Sequence, residues 1–205
     1  MSDKILVLDY KTGNVDSVVK SVKLLGYTPI FSFEKKKINE ASKIIMPGQG
    51  AYNYAMDQLI KLDLVEFLKN KIHSENIPVL GVCVGMQILS SVGLEFKETK
   101  GLDLIPGTVK PLKKHPNKLP HLGWNSVKFT KEDKIFTDLK NNKDFYFIHG
   151  FYFDCENKDN ILATTAYNNL FPSIIKSEKI YGFQFHPEKS LKNGIKILEN
   201  FLKLR

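Results

Sequence analysis

A cysteine stands at the centre of a short pattern of small residues. Cys83 occupies Gly81-Val82-Cys83-Val84-Gly85, after the apolar run Val79–Val82 and before the helix-compatible run Met86–Leu89. A nucleophile on so sharp a strand-to-helix turn adopts a strained backbone, so its neighbours must be small for the chain to pack. The turn also places the thiol at a helix amino-terminus, whose partial positive charge favours a thiolate. The alternative is an inert cysteine buried in an apolar strand.

A histidine and a glutamate follow about a hundred residues later. His186 and Glu188 flank Pro187 at the end of the strand-like run Ile180–Phe185. Because the proline ring fixes its φ, the turn can hold the carboxylate against one imidazole nitrogen while the other faces a thiol. His186 would accept the thiol proton, and Glu188 would fix the tautomer and stabilise the imidazolium. Alone, the pair is more typical of a strand-end histidine beside a surface glutamate, but with Cys83 it predicts a Cys-His-Glu triad.

Strand-like and helical patterns alternate in the first part of the chain and would position this triad. The segments are strand Lys4–Asp9, a helix from Val15 ending before Gly26, strand Thr28–Phe31, strand Lys43–Met46, one helical stretch Tyr54–Ile72, strand Val79–Val82 and a second helical stretch after Cys83. Alternation of this kind predicts an α/β fold with a mainly parallel central sheet.

The sequence pattern changes after Gly101, where prolines interrupt short β-like runs. This pattern favours partly antiparallel strand pairing. Further strands are predicted at Phe145–Ile148, Ile161–Thr165, Ser173–Ile175 and Ile180–Phe185, with a closing helix over about Leu191–Leu204. We therefore expect a single-domain three-layer sandwich over residues 1–205, with helices flanking a mostly parallel sheet and short antiparallel strands in the C-terminal half.

Composition narrows the class of protein. The chain has 205 residues, 42% of them hydrophobic and 25% charged, which is typical of a globular protein. No apolar run is long enough to cross a membrane and the start of the chain does not have the pattern of a signal peptide, so a cytoplasmic location is expected. Most lysines behind the net charge of +8 are scattered singly, which indicates a solvated surface and not a nucleic-acid site. The two cysteines are expected to be reduced, and no metal or cofactor is expected.

The motifs resemble those of the class I, or triad, glutamine amidotransferases, and more narrowly the glutaminase subunits of imidazole glycerol phosphate synthases. The segments that carry the resemblance are Asp9–Asn14, Met46–Ala51, Gly81–Gln87, Gly101–Gly107, Pro120–Asn125 and Gln184–Ser190. The resemblance implies that the chain hydrolyses glutamine. It further implies that ammonia passes to a separate (β/α)8 barrel synthase subunit, with which the chain would form a heterodimer.

Further roles follow from the resemblance, residue by residue. It implies that an oxyanion is stabilised by the backbone N–H of Val84 and by the segment containing Gln49 and Gly50. It assigns glutamine binding to Gly50, Gln87 and the backbone around His149, Gly150 and Phe151. It places Asn14, Trp124 and Lys189 at the partner interface and Tyr146 near the ammonia path, although each could be an ordinary surface or loop residue and Trp124 could lie in the core.

Two positions depart from the family pattern. Gln49 stands where the family usually has a small apolar residue, and Gly150-Phe151 stands where it usually has Ser-Tyr. Some relatives within this family supply ammonia for amidino-sugar formation, so that pathway is an alternative to histidine biosynthesis. Two further alternatives are a non-catalytic scaffold and a cysteine peptidase-like hydrolase that needs no partner.

Overall fold

The computed structural model describes residues 4–13 and 15–204. The strands there are β1 (Ile5–Leu8), β2 (Ile30–Ser32), β3 (Lys43–Met46), β4 (Val79–Val82), β5 (Val92–Gly93), β6 (Thr99–Lys100), β7 (Gly107–Pro111), β8 (His121–Phe129), β9 (Lys143–His149), β10 (Phe151–Cys155), β11 (Ile161–Tyr167), β12 (Asn169–Ser177) and β13 (Ile180–Phe183). The helices are α1 (Val15–Leu24), α2 (Lys35–Asn39), α3 (Tyr52–Lys61), α4 (Val65–Glu75), α5 (Val84–Gln87) and α6 (Leu191–Leu202).

The larger sheet is mixed and has the strand order β2-β1-β3-β4-β13-β12-β11-β8-β9. Strands from β2 to β13 in that order pair in parallel, and those from β13 to β9 pair antiparallel. A smaller sheet of order β10-β7-β5-β6 packs beside it. The predicted α/β sandwich is confirmed, but its large sheet is mixed and not mostly parallel, since four of its eight strand pairings are antiparallel.

The parallel half is the centre of the core. Every residue of β1, β3, β4 and β13 is buried, as expected for strands covered on both faces. Helix α1 turns Val18 and Val22 into this core. Gly26 follows with φ of +85°, the left-handed conformation that ends many helices and that glycine adopts without strain. The predicted end of the first helix is confirmed.

Three predicted elements are corrected by the structure. The single helical stretch Tyr54–Ile72 is two helices, α3 and α4, separated at Asp63, which has φ of +53°. Because Leu59 and Leu64 on either side of the break are both fully buried in one core, the apolar pattern runs through it. The stretch after Cys83 is helical for only four residues, Val84–Gln87. The strand predicted at Thr28–Phe31 begins at Ile30.

The carboxyl ends of neighbouring parallel strands bring distant segments together. The segments beginning at Pro47 and Cys83 follow β3 and β4 directly, and His186 lies three residues after β13. Since parallel strands end at one edge of the sheet, a site assembles there from segments far apart in sequence. None of the helices in residues 4–13 and 15–204 is long and apolar enough to span a membrane.

Candidate active site

The backbone at Cys83 is strained. This residue joins β4 to α5 with φ of 54° and ψ of −111°, a combination that residues other than glycine rarely adopt. Its N–H donates to the Phe183 carbonyl at 2.7 Å, and its carbonyl accepts from the Gln87 N–H at 3.1 Å. These bonds to both neighbouring segments hold the conformation in place. The structure thus has the strand-turn-helix geometry predicted for a nucleophile elbow.

Glycines flank the elbow because there is no room for side chains. A Cβ atom on Gly85 would lie 1.8 Å from the Met46 carbonyl oxygen, and one on Gly81 would lie 2.4 Å from the Gly85 carbonyl oxygen. Gly48, on the segment that follows β3, is equally confined, since its Cβ would lie 2.9 Å from the Gly85 nitrogen. The small residues around Cys83 therefore let two strand ends and a helix start pack backbone against backbone.

His186 and Glu188 form a buried pair. Their Nδ1 and Oε1 atoms are 2.8 Å apart, and the two side chains are only 2% and 3% exposed. Because a carboxylate only accepts, Nδ1 donates and Nε2 is left to face a thiol. The backbone of His186 is fixed as well, since its N–H donates to the Tyr146 carbonyl at 2.9 Å and its carbonyl accepts from Ser190 Oγ at 2.6 Å.

The charges around His186 favour its protonated form. Burial by itself lowers the pKa of this imidazole, but the negative charge of Cys83 and the Glu188 carboxylate outweigh it and raise the pKa to about 10. The imidazolium is thus stabilised when Cys83 is a thiolate. Such an imidazolium can give its proton to the leaving group during acyl transfer by a cysteine.

Cys83 and His186 are coupled, but the hydrogen bond between them is not completed in this structure. Cys83 Sγ donates to the Ile148 carbonyl at 3.6 Å, and Gln184 Nε2 lies 3.9 Å from Sγ. Among the residues that the structure describes, none is a hydrogen-bond partner of His186 Nε2, although that atom is buried. Hydrogen bonds of catalytic groups are often completed only when substrate binds. The arrangement is that of a resting site in which the bond between thiol and imidazole is not yet complete.

A cavity of about 390 Å³ joins these groups. Larger cavities of about 1140 and 670 Å³ lie elsewhere and include none of the three triad side chains. The chemistry of the lining, and not the volume, therefore identifies the site. The residues lining the smaller cavity are Gln49, Gly50, Cys83, Val84, Gln87, Glu95, Ile148, His149, Gly150, Phe151, His186 and Lys189.

The residues predicted for oxyanion stabilisation lie in this lining. Val84 follows the nucleophile at the start of α5, where backbone N–H groups lack partners within the helix. Gln49 and Gly50 lie on the segment that follows β3 and also line the cavity. Gly50 has φ of +102°, which only glycine adopts without strain. Both segments predicted to supply N–H donors therefore line one cavity with the thiol.

The residues predicted for glutamine binding also lie there, but one contributes only backbone. Gln87 Nε2 donates to the Phe151 carbonyl at 3.0 Å and to Gln184 Oε1 at 3.2 Å. Both ring nitrogens of His149 are engaged within the protein, at the Phe151 carbonyl and at His121. The backbone of this segment, and not the imidazole, is therefore what a ligand can contact.

Two of the four predicted interface residues lie side by side on neighbouring strands. Trp124 and Tyr146 are opposite each other in the β8–β9 pairing, with ring centroids 5.7 Å apart in an edge-to-face arrangement. Trp124 is 49% exposed, which excludes the alternative that it lies in the core. Lys189 lines the cavity. Asn14 lies outside the described residues.

Glu95 and Gln184 belong to the site although no role was predicted for either from the sequence. Glu95 lines the cavity, and its Oε2 accepts from the Tyr52 N–H at 2.8 Å at the start of α3. Burial raises the pKa of its carboxyl. Gln184 is part of the motif Gln184–Ser190. Glu95 lies in the hairpin between β5 and β6, and no sequence pattern around it indicates a function.

The second cysteine has a different environment. Cys155 is 1% exposed and burial raises the pKa of its thiol to about 12, so it stays protonated and inert. Both cysteines are free, which confirms the prediction of reduced thiols. Cys155 therefore provides a matched control for substitutions at Cys83.

The chain matches the family model described as glutamine amidotransferase class-I over residues 6–204. Imidazole glycerol phosphate synthase subunit HisH 2 of Methanococcus maripaludis is 42% identical over 200 residues, 97% of this chain and 98% of that protein. The HisH subunit of Pelagibacter ubique is 40% identical over 206 residues, 98% of this chain and 99% of the relative. The crystal structure of a glutamine amidotransferase from Thermotoga maritima aligns with a TM-score of 0.67 at 16% identity, over 98% of this chain and 83% of that one, and supports the fold alone.

Proposed function

Because the chain belongs to the class I glutamine amidotransferase family, we propose that it is the glutaminase subunit of an imidazole glycerol phosphate synthase. It hydrolyses glutamine to glutamate and ammonia for histidine biosynthesis in the cytoplasm. The observation that carries the proposal is the strained Cys83 in one cavity with His186, whose Nδ1 is held by the buried Glu188. The names of the two relatives support this pathway over amidino-sugar formation.

The proposed reaction is a two-step acyl transfer. His186 Nε2 takes the proton of the Cys83 thiol, and the sulfur attacks the γ-amide carbon of glutamine. The N–H groups of Val84 and of the segment at Gln49 stabilise the tetrahedral oxyanion. His186 then gives its proton to the departing ammonia, leaving a γ-glutamyl thioester. Water, deprotonated by the same imidazole, attacks the thioester, and glutamate and the free thiol are released.

The cavity holds a carboxylate suited to the amino-acid end of glutamine. We assign Glu95 to the α-ammonium group, because its carboxylate lines the cavity and is already half-buried. Burial raises the pKa of this carboxyl, so a cationic ligand would relieve an existing desolvation cost. Gln87, Gly50 and the backbone of Phe151 would contact the rest of the substrate.

The partner surface is proposed on the exposed side of β8 and β9. Trp124 and Leu122, 49% and 62% exposed, lie on the same face of β8, and Tyr146 lies opposite Trp124. Exposed tryptophan and tyrosine side chains are common anchors of protein interfaces. We propose that this face, with Lys189 and Asn14, binds a (β/α)8 barrel cyclase subunit, into which ammonia passes by way of Tyr146.

The proposed chemistry is tested by glutamate release from glutamine in the presence of the barrel subunit encoded in the same genome. Cys83→Ala should abolish turnover, whereas Cys155→Ala, the substitution of the other buried cysteine, should leave it intact. The lone chain should be slow, because its thiol donates to the Ile148 carbonyl and its bond to His186 is not completed. Full turnover by Cys83→Ala would refute the mechanism.

The pathway and the rival functions are separated by other readouts. Expression of the chain with its barrel subunit should restore growth without histidine in a strain that lacks the synthase. Growth that still requires histidine, together with measured glutaminase activity, would favour the amidino-sugar pathway. A scaffold would show no glutaminase activity in any state, and a peptidase would cleave peptides without a partner.

A further inference from the structure

Two buried histidines lie beside the cavity, and the proposed reaction uses neither imidazole. His121 and His149 are opposite each other in the β8–β9 pairing and are 2% and 6% exposed. Nδ1 of His121 lies 3.0 Å from Nε2 of His149. The His121 ring is stacked between Phe147 and Tyr167, with centroids at 4.8 and 4.0 Å. Both rings are thus fixed in position and make a specific contact.

The direction of the hydrogen bonds begins at Asn125. Its Oδ1 accepts from the Ser126 N–H at 2.8 Å, and its Nδ2 donates to the Ala166 carbonyl at 3.1 Å. An amide turned by 180° would lose both contacts, so the orientation of this side chain is determined. The same Nδ2 lies 3.2 Å from His121 Nε2. Since an amide nitrogen only donates, His121 Nε2 must be the acceptor.

The protonation of both rings follows from that contact. With Nε2 unprotonated, neutral His121 carries its proton on Nδ1 and donates it to His149 Nε2. His149 then carries its own proton on Nδ1, which donates to the Phe151 carbonyl at 2.8 Å. A proton added at either Nε2 would face another donor. Burial lowers the pKa of His121 to about 4 and that of His149 to about 3, which agrees with two neutral rings.

The chain of bonds ends on a residue of the cavity. The Phe151 carbonyl accepts from His149 and also from Gln87 Nε2 at 3.0 Å, so both of its lone pairs are used. The second N–H of Gln87 Nε2 goes to Gln184 Oε1 at 3.2 Å. Both protons of the Gln87 amide are therefore bound by the protein, and only its carbonyl oxygen is left for a ligand.

We propose that His121 and His149 are positioning residues that fix the Phe151 carbonyl and thereby present the Gln87 side-chain oxygen, and not its nitrogen, to the N–H groups of glutamine. The inference rests on the proposed function and names a determinant of substrate binding in the same site. The His121 Nδ1–H is the one donor that keeps His149 in the tautomer that donates to the Phe151 carbonyl. Without it, His149 can move its proton to Nε2, and its Nδ1 then repels the carbonyl.

The test measures glutamine binding by calorimetry in a Cys83→Ala background. His121→Phe keeps a ring between its two aromatic neighbours but removes the donor, and it should weaken glutamine binding about 3- to 10-fold, as expected for one buried hydrogen bond. His121→Asn places an amide donor near the former Nδ1 and should stay within about twofold of the parent. Tyr167→Phe keeps the stacked ring and should not change the affinity.

Two further readouts separate positioning from packing. With Cys83 present, His121→Phe should raise KM for glutamine while kcat stays within about twofold, since the bond acts on bound substrate. Nitrogen-15 NMR of the imidazoles should show a proton on Nδ1 of both histidines in the parent and a shift toward Nε2–H at His149 in His121→Phe. Equal affinity of the parent and His121→Phe, or a parent with Nε2–H at His149, would overturn the inference alone. A Cys83→Ala parent that binds no glutamine would overturn the proposed function as well.

Discussion

The strain at Cys83 has a measurable consequence for stability. Its φ of 54° and ψ of −111° suit glycine and disfavour every residue with a Cβ atom. Cys83→Ala removes the nucleophile but keeps the strain, whereas Cys83→Gly removes both. Ala55, fully buried in α3, offers the matched exchange at an ordinary helical position. The experiment compares alanine with glycine at the two positions.

Most contributions to the free energy of unfolding are similar at the two positions and cancel when the two alanine-to-glycine exchanges are compared. At position 55, replacing alanine with glycine costs about 1 kcal/mol of helix propensity and about 0.8 kcal/mol of buried methyl. Position 83 is not helical but is similarly buried, at 3% exposure, so the methyl is lost there too, and the greater freedom of glycine in the unfolded chain costs about as much as at position 55. There they are opposed by the release of about 1–3 kcal/mol of backbone strain. The exchange should therefore be less costly at 83 than at 55 by about 1–3 kcal/mol, or stabilising outright.

Urea unfolding of the four proteins gives the free energies, provided that the denaturant slope m is unchanged. For a chain of this size the difference corresponds to about 2–12 °C in Tm, because 1 kcal/mol shifts Tm by about 2–4 °C. If glycine destabilises the two positions equally, the backbone at Cys83 is not strained. The explanation of the elbow would then be wrong, even with activity abolished in both variants at 83.

Three other substitutions test the packing and the charge of the site. Gly85→Ala should destabilise the fold by at least about 3 kcal/mol in urea unfolding, because its Cβ would lie 1.8 Å from the Met46 carbonyl oxygen. Gly150→Ala, with no atom within 4 Å of the added Cβ, should be tolerated, and equal losses would contradict the steric argument. Glu188→Gln should lower kcat about 100-fold. It should also lower the pH at which activity is lost on the alkaline side, because the Glu188 charge helps to raise the His186 pKa to about 10. If the alkaline limb of the pH profile of kcat does not move, Glu188 does not stabilise the imidazolium.

The sequence predicts what is encoded locally. Cys83 with its glycines and His186 with Glu188 each form a short pattern whose chemistry follows from spacing, and strands at β1, β3 and β4 follow from apolar runs. The break between the helices α3 and α4 cannot be predicted from the sequence. Both helices bury leucines in one core, so the apolar periodicity continues across the break.

Contacts made by strand pairing cannot be predicted in the same way. His121 meets His149 only because β8 and β9 pair in one register, and a shift of one residue would turn the two side chains to opposite faces. Glu95 reaches the cavity because a hairpin between β5 and β6 packs against the start of α3. The sequence around His121 or Glu95 does not specify which residues each will contact, so their roles can be recognised only in the folded structure.

The β8–β9 pair connects the proposed partner surface to the nucleophile through a short path. On β9, Tyr146 lies opposite the exposed Trp124, and its carbonyl accepts from the backbone N–H of His186. Two residues further along the same strand, the Ile148 carbonyl accepts the hydrogen bond from the Cys83 thiol. A partner bound against Trp124, as proposed, would therefore act on the strand that positions the base and restrains the sulfur. A displacement of β9 by a fraction of an ångström would weaken a 3.6 Å contact and free the thiol for His186, whose Nε2 has no hydrogen-bond partner among residues 4–13 and 15–204.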